Sequence, residues 1–460
     1  MKLKILIAII LFLTLDLNAQ WLKVSEDKHH LVYENGEPFI WIGDTAWELF
    51  HRCDREEVEL YFKDRAEIGF NIVQAVILGE LDGIKVPSSY GERPLIDDNP
   101  LRPNEKYFEH VDWVIEKAKE YNIYLALLPT WGDKWHKKWG VGPVIFTDTE
   151  VSEKYCEWLA SRYKNQNNIV WILGGDRNPE TQKHEAITRA MAKGLQKGDD
   201  KKHLISFHPM GDKSSADWFH NDEWLDFNMT QTGHWRRHNK VYEIIKKNYE
   251  IKPIKPIING EPQYEDIAVR FTLDNERFTD YDIREAAYWS ILSGAFGHTY
   301  GNNNIWQMWK PGRKAILGAR VPWNLAIHQP GSTQMGFVRK LFESRPFLNM
   351  IPDQQVLSDY FGQDYENIKA ARGKDSSYFI VYLPKGNTVK LQMQKLNADS
   401  VSGYWYNPRE GVSKKIEAFK NRKTDMSFVP PTSGERTDWI LVLDDVNKNY
   451  IDPANFTFNN

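Results

Sequence analysis

The chain has 460 residues, 27% of them charged, and a formal net charge of −4. That balance suits an ordinary water-facing surface and offers no basic excess for nucleic acid. The length exceeds one ordinary core and predicts two domains. Aromatic residues reach 13%, with 18 tryptophans; these either fill large cores or supply flat apolar faces for the C–H faces of sugar rings.

Lys2 and Lys4 precede an apolar run from Ile5 to Leu15, with Ala19 as a cleavage residue. Such a run is too short to span a bilayer comfortably and reads as an export signal over residues 1–19. The expected location is periplasmic or extracellular. No cysteine follows the cleavage site and no second apolar stretch could anchor the chain, so a membrane anchor is not expected. Cys53 and Cys156 lie on predicted helices one and three and are expected to be free thiols.

Residues 23–40 predict a short β lead-in with a turn at Asn35-Gly36. Short apolar strands then alternate with amphipathic helices. The strands are Phe39–Gly43, Asn71–Ile77, Ile123–Pro129, Ile169–Gly174, Leu204–His208, Asp226–Gln231, Ile257–Glu261 and Ala295–Tyr300. Helices are expected over about 54–68, 107–121, 150–164, 180–197, 238–249, 280–293 and 332–344, with a weak one near 214–221. Phe108, Val111, Val114, Ile115 and Ala118 illustrate the 3.6-residue period. Eight strands separated by helices predict an α/β fold, a (β/α)₈ TIM barrel, over residues 20–346. No G-x-G-x-x-G loop supports a doubly wound sheet instead. From 347 to 460 the composition changes, and from Tyr365 short alternating strands predict a small C-terminal antiparallel β-sandwich.

Two predicted strands end in glycine and then a carboxylate: Gly174-Gly175-Asp176 and Asn259-Gly260-Glu261. The acids are 85 residues apart, about three βα units at roughly 30 residues each. Acids at C-terminal strand ends can face each other across a barrel mouth, the arrangement that cleaves glycosidic bonds. Each alone has a plainer reading. Asp176 fits a helix cap or a partner of Arg177, and Glu261 a buried acid paired with a cation.

Other strand ends supply candidate sugar contacts: Asp44 and Trp47; Trp131 and Asp133; His208; Gln231, His234 and Trp235; His298 and Tyr300. Asp44 also reads as a structural carboxylate holding a strand-eight partner. Trp131, Trp135 and Trp139 share a loop with Lys134, His136, Lys137 and Lys138, which is either a contact for an acidic sugar polymer or a solvated charged loop. His234 and His238 stand four apart with no H-E-x-x-H motif, so no metal site and no cofactor are expected.

Phe39-Ile40-Trp41-Ile42-Gly43-Asp44-Thr45-Ala46-Trp47, Trp171-Ile172-Leu173-Gly174-Gly175-Asp176 and Asn259-Gly260-Glu261-Pro262 resemble the apiosidase-like glycoside hydrolases, family 140. Members are often labelled collagenase or collagen-binding protein. The resemblance extends through Trp405-Tyr406-Asn407-Pro408-Arg409 in the C-terminal part. It implies a retaining mechanism with Asp176 as acid/base and Glu261 as nucleophile. It also implies release of apiose from branched pectin side chains such as those of rhamnogalacturonan II. Two further readings remain open on the residues alone: a non-catalytic carbohydrate- or collagen-binding protein, and a protease, for which neither a zinc motif nor G-x-S-x-G is present. The expected partner is an oligo- or polysaccharide; the sequence leaves the oligomeric state open.

Overall fold

A computed structural model describes residues 20–458 except 82, 359–361 and 363–365. The export segment read at 1–19 and Tyr365, where the second domain's strands were expected to begin, lie outside the described residues.

Eight strands form the barrel: β1 (Trp41–Thr45), β2 (Ile72–Val76), β3 (Tyr124–Leu128), β4 (Ile169–Gly174), β5 (Ile205–His208), β6 (Asn228–Gln231), β7 (Ile257–Glu261) and β8 (Gly297–Thr299). They pair in parallel from β5 back through β1 to β8, then β7 and β6. The last seam, between β5 and β6, is stitched rather than laddered. The Asp226 amide donates to Ile205 O at 2.9 Å, and Asp226 Oδ2 accepts from the Ile205 amide at 2.7 Å. Ser206 Oγ donates to Phe227 O at 2.7 Å. The fold is the expected TIM barrel. A three-stranded antiparallel sheet of Leu22–Val24, Leu31–Tyr33 and Pro38–Phe39 precedes it, and Leu22, Leu31 and Phe39 join the barrel's interior cluster.

Seven longer helices separate or follow these strands: α1 (Arg55–Ile68), α2 (Glu105–Glu120), α3 (Thr149–Tyr163), α4 (Gln182–Gly198), α5 (Val241–Glu250), α6 (Asp280–Leu292) and α7 (Pro330–Glu343). Local chemistry sets their starts. Asp54 and Glu57 form a reciprocal capping box at α1, and Asp148 accepts from the Val151 amide at α3. Residues alternate across each strand. Val170 and Ile172 face the barrel interior, while Trp171 and Leu173 face the layer beneath the helices. Cys53 and Cys156 are buried and unpaired.

The C-terminal part is built of β9 (Met350–Pro352), β10 (Lys369–Gly373), β11 (Tyr378–Leu383), β12 (Val389–Gln392), β13 (Ser400–Asn407), β14 (Val412–Lys420), β15 (Asp425–Phe428) and β16 (Trp439–Asp445). A six-stranded sheet, β9-β10-β11-β16-β13-β14, faces the two-stranded β12-β15. Phe379, Val381 and Leu383 fill the space between these sheets; Ile380 and Tyr382, one residue out of phase, join the barrel's helix layer. One face thus serves the sandwich core and the other the barrel. Across this boundary Arg284 of α6 makes a buried two-point contact with Asp438, at 2.9 and 3.0 Å. Arg345 does the same with Asp444 at 2.6 and 3.0 Å.

Candidate active site

At the end of β4 three successive residues adopt positive φ: Gly174 at 96°, Gly175 at 85° and Asp176 at 54°. A Cβ on Gly174 would lie 2.3 Å from His208 O, so the sharp turn excludes a side chain there. Asp176 has no glycine's freedom and holds a left-handed conformation that costs an ordinary residue on the order of 1 kcal/mol or more. The turn swings its carboxyl into the mouth of the barrel, where the side chain is 22% exposed. Burial raises the Asp176 pKa well above the ordinary carboxylate range, and the charge of Glu261 adds to the rise. Arg177 and hydrogen bonds from Gln231 and Trp139 oppose it without cancelling it. Arg177 is no strong ion-pair partner, since its Nη1 stands 3.8 Å from Asp176 Oδ2. Its nitrogens instead donate to the carbonyls of His136, Asp176 and Trp139.

At the end of β7 a bulge does comparable work. Ile257 faces the helices and Ile258 the barrel interior. Strict alternation would send Glu261 out with Ile257 and Asn259. Pairing with β6 runs Thr230 to Asn259 and then Gln231 to Glu261, so Gly260 is skipped. The extra residue re-aims the next side chain, and Glu261 points into the mouth. Its Oε1 accepts from His234 Nε2 at 3.0 Å, while Oε2 lies 2.9 Å from His208 Nε2 with an out-of-line approach. Each imidazole is oriented by a backbone amide on its other nitrogen: Asp176 N–H donates to His208 Nδ1 at 3.1 Å, and Tyr264 N–H to His234 Nδ1 at 3.2 Å. The ring protons therefore sit on Nε2, facing the carboxylate. Burial alone would raise the Glu261 pKa. The His234 hydrogen bond, the close approach of His208 and the electrostatic attraction of both outweigh it and hold the group down at about 2. Two acids of one cavity are thus driven to opposite protonation states.

The cavity between them measures about 540 Å³. Trp47, Trp131, Trp139, Trp235 and Trp306 line it, with Tyr264 and Phe271. Trp47 and Trp131 pack with ring centroids 5.0 Å apart, and Trp47 Nε1 donates to Tyr264 Oη at 3.2 Å. Of the residues expected to meet a sugar, Gln231, His234 and Trp235 also line the cavity, and His208 sits behind Glu261.

Four sequence candidates lie elsewhere. Asp44 is fully buried on the helix side of β1, one residue out of phase with the inward Trp41 and Gly43. It accepts from Tyr61 Oη at 2.7 Å and Arg65 Nη1 at 3.0 Å. It is a structural carboxylate, with partners on α1 rather than on strand eight. His298 also faces outward, with Nδ1 3.3 Å from Ser290 Oγ on α6, and burial pushes its pKa down to about 3. Tyr300 Oη donates to Glu265 Oε2 at 2.6 Å outside the cavity. Asp133 is buried between Lys134 Nζ at 2.6 Å and the Gly142 amide at 2.7 Å, pinning its own loop. The neighbouring cations are absorbed as well. Lys138 and His136 both meet Glu180, and Trp135 Nε1 donates to Gly174 O at 3.1 Å. This loop braces the β4 turn and does not offer a charged face to the cavity.

Glu80, Tyr264, Phe271, Trp306, Ile316 and Leu317 line the cavity but were not singled out from the sequence. Glu80 follows Gly79 just beyond β2, the same glycine–acid pattern that marked the other two acids. Tyr264 comes three residues after Glu261. Phe271 and the Ile316-Leu317 pair belong to long loops with no periodic signal.

One acid driven toward its protonated form and one toward its anion, in the tryptophan-lined mouth of an eight-stranded barrel, make up the site of a glycoside hydrolase. The chain belongs to the apiosidase-like family, whose catalytic domain matches residues 25–349. Residues 351–444 match a second family, described as a collagen-binding domain of a collagenase. A solved glycoside hydrolase family 5 protein from Bacteroides vulgatus is 31% identical over 95% of this chain and 96% of its own, with a TM-score of 0.86. A second solved glycoside hydrolase is 32% identical over 94% and 98%, with a TM-score of 0.85. No curated protein matches.

Proposed function

We propose that the protein is an exported, retaining glycosidase that removes apiose from pectin side chains such as those of rhamnogalacturonan II. The observation that carries the mechanism is the split between Asp176, which burial and Glu261 keep protonated, and Glu261, which two imidazoles keep ionised. Asp176 gives its proton to the glycosidic oxygen as that oxygen leaves C1, and Glu261 attacks C1 to form a glycosyl ester. Water then attacks C1 and gives its proton to the Asp176 carboxylate, and the C1–Glu261 bond breaks to free the sugar. The tryptophan walls supply apolar stacking for the ring. Membership of the apiosidase-like family supports the sugar, and the basic-then-apolar start of the chain supports export.

Asp176→Asn and Glu261→Gln are each expected to lose at least ~10³-fold in kcat on apiose-bearing pectin fragments. Proton NMR of the first-formed product is expected to show the substrate's own anomeric configuration. An inverted product, or near-normal turnover by either variant, overturns the mechanism.

A further inference from the structure

Among the described residues, the twenty that line the cavity include no lysine or arginine, but they include four acids: Glu80, Asp176, Asp212 and Glu261. Arg177, the cation nearest Asp176, does not line it, and its guanidinium is spent on three carbonyls and on the face of Trp139 at 3.9 Å. A carboxylate-bearing sugar would leave water here without a counter-charge, which is costly.

Of the four acids, Glu80 and Asp212 have no role in the chemistry above, and Asp212 lies at the exposed rim with Arg236 Nη2 3.7 Å away, which leaves Glu80. The loop that carries it is pinned on both sides. Leu78 O accepts from the Trp131 amide at 3.0 Å, and the Leu81 amide donates to Glu48 Oε1 at 2.7 Å. The Glu80 carboxyl itself has no hydrogen bond or ion pair with the described residues, and the residue lines the cavity. Burial, reinforced by Asp176, Asp133 and Glu48 and only partly opposed by Arg177, pushes its pKa up to about 8. At neutral pH the group is a carboxylic acid, which can both donate to and accept from a hydroxyl.

We propose that the cavity takes an uncharged sugar unit and that Glu80 is a third acidic group in contact with it, hydrogen-bonded to one of its hydroxyls. This rests on the glycosidase reading, whose apiose is itself uncharged, and adds to it the residue that holds one of the sugar's hydroxyls. Replacing one such hydrogen bond changes affinity by about tenfold.

The test is calorimetric binding of D-apiose, L-arabinose, D-galactose and D-galacturonate to the full chain, to Glu80→Ala and to Glu80→Gln, with circular dichroism confirming each fold. A neutral sugar is expected to bind the wild type at least tenfold more tightly than galacturonate. Glu80→Ala is expected to lose about tenfold for that neutral sugar, and Glu80→Gln, whose amide also donates and accepts, to recover most of the loss. Galacturonate binding as tight as the best neutral sugar overturns the proposal. So does binding indifferent to Glu80→Ala, or a Gln variant as weak as the Ala variant. If Glu80→Ala does not fold, wild-type binding that weakens above pH 8 while Glu80→Gln keeps its neutral-pH affinity supports the neutral hydrogen bond; parallel weakening of both, or weakening of neither, overturns it. Failure of every sugar to bind the wild type would defeat the glycosidase reading as well, whereas the Glu80 outcomes bear on this inference alone.

Discussion

At the residue scale, two protonation states rest on a few contacts. In the proposed mechanism Asp176 holds a proton and Glu261 does not, so kcat/KM is expected to stay level through mildly acid pH and to fall on the alkaline side as Asp176 ionises. Rate profiles from pH 4 to 10 check this, and a profile rising with pH across that range contradicts the assignment. His234→Ala removes the aligned donor to Glu261 Oε1. The carboxyl is then less strongly held as an anion, its pKa rises, and the acid limb moves toward neutral pH with a loss of about tenfold at neutrality. An unmoved acid limb counts against the hydrogen bond's role. The sequence reading found Asp176 and Glu261 because glycine before an acid at a strand end is a local pattern. It grouped Asp44, His298 and Tyr300 with them because all lie near strand ends. Side-chain phase separates the two sets, and phase depends on where each strand begins and where a bulge falls. The skip at Gly260 is invisible without the β6 partner.

At the element scale, the β4 turn concentrates the strain. Gly174→Ala would place a Cβ at φ 96° against the His208 carbonyl. It is expected to destabilise the fold by at least about 2 kcal/mol and to depress turnover beyond the stability loss, since the turn also aims Asp176. Urea titration and activity at equal folded fraction separate the two effects. The barrel elements were legible because buried parallel strands are apolar throughout and the helices between them carry a clear period. β14 was not. Its lysines and Glu417 face water on an edge strand with little apolar alternation, so nothing in Val412–Lys420 marks it as β.

At the scale of the whole molecule, the two parts share a buried boundary. Tyr288 of α6 stacks on Tyr382 of β11 at 5.0 Å, and Arg284 and Arg345 reach acids of β16 or beside it. Asp438→Ala leaves Arg284 buried with Asp280 and Gln334 as remaining partners. The expected cost is about 3 kcal/mol, the lower end for a broken buried pair because Asp280 still compensates. Calorimetry is expected to show one cooperative transition for the full chain, moved to lower temperature by this variant; two separate transitions would show that the parts unfold independently. The sequence reading placed a sandwich after the barrel. It could not show that odd and even residues of β11 serve different cores, since a strand buried on both faces looks the same whichever neighbour covers it.

One imidazole touches both sides of the catalytic mouth. His208 takes the Asp176 amide on Nδ1 and approaches Glu261 with Nε2. The backbone turn that aims one acid is therefore tied to the ring that stands against the carboxyl of the other. A substitution at 208 reaches both acids at once, through the chain on one side and through the side chain on the other.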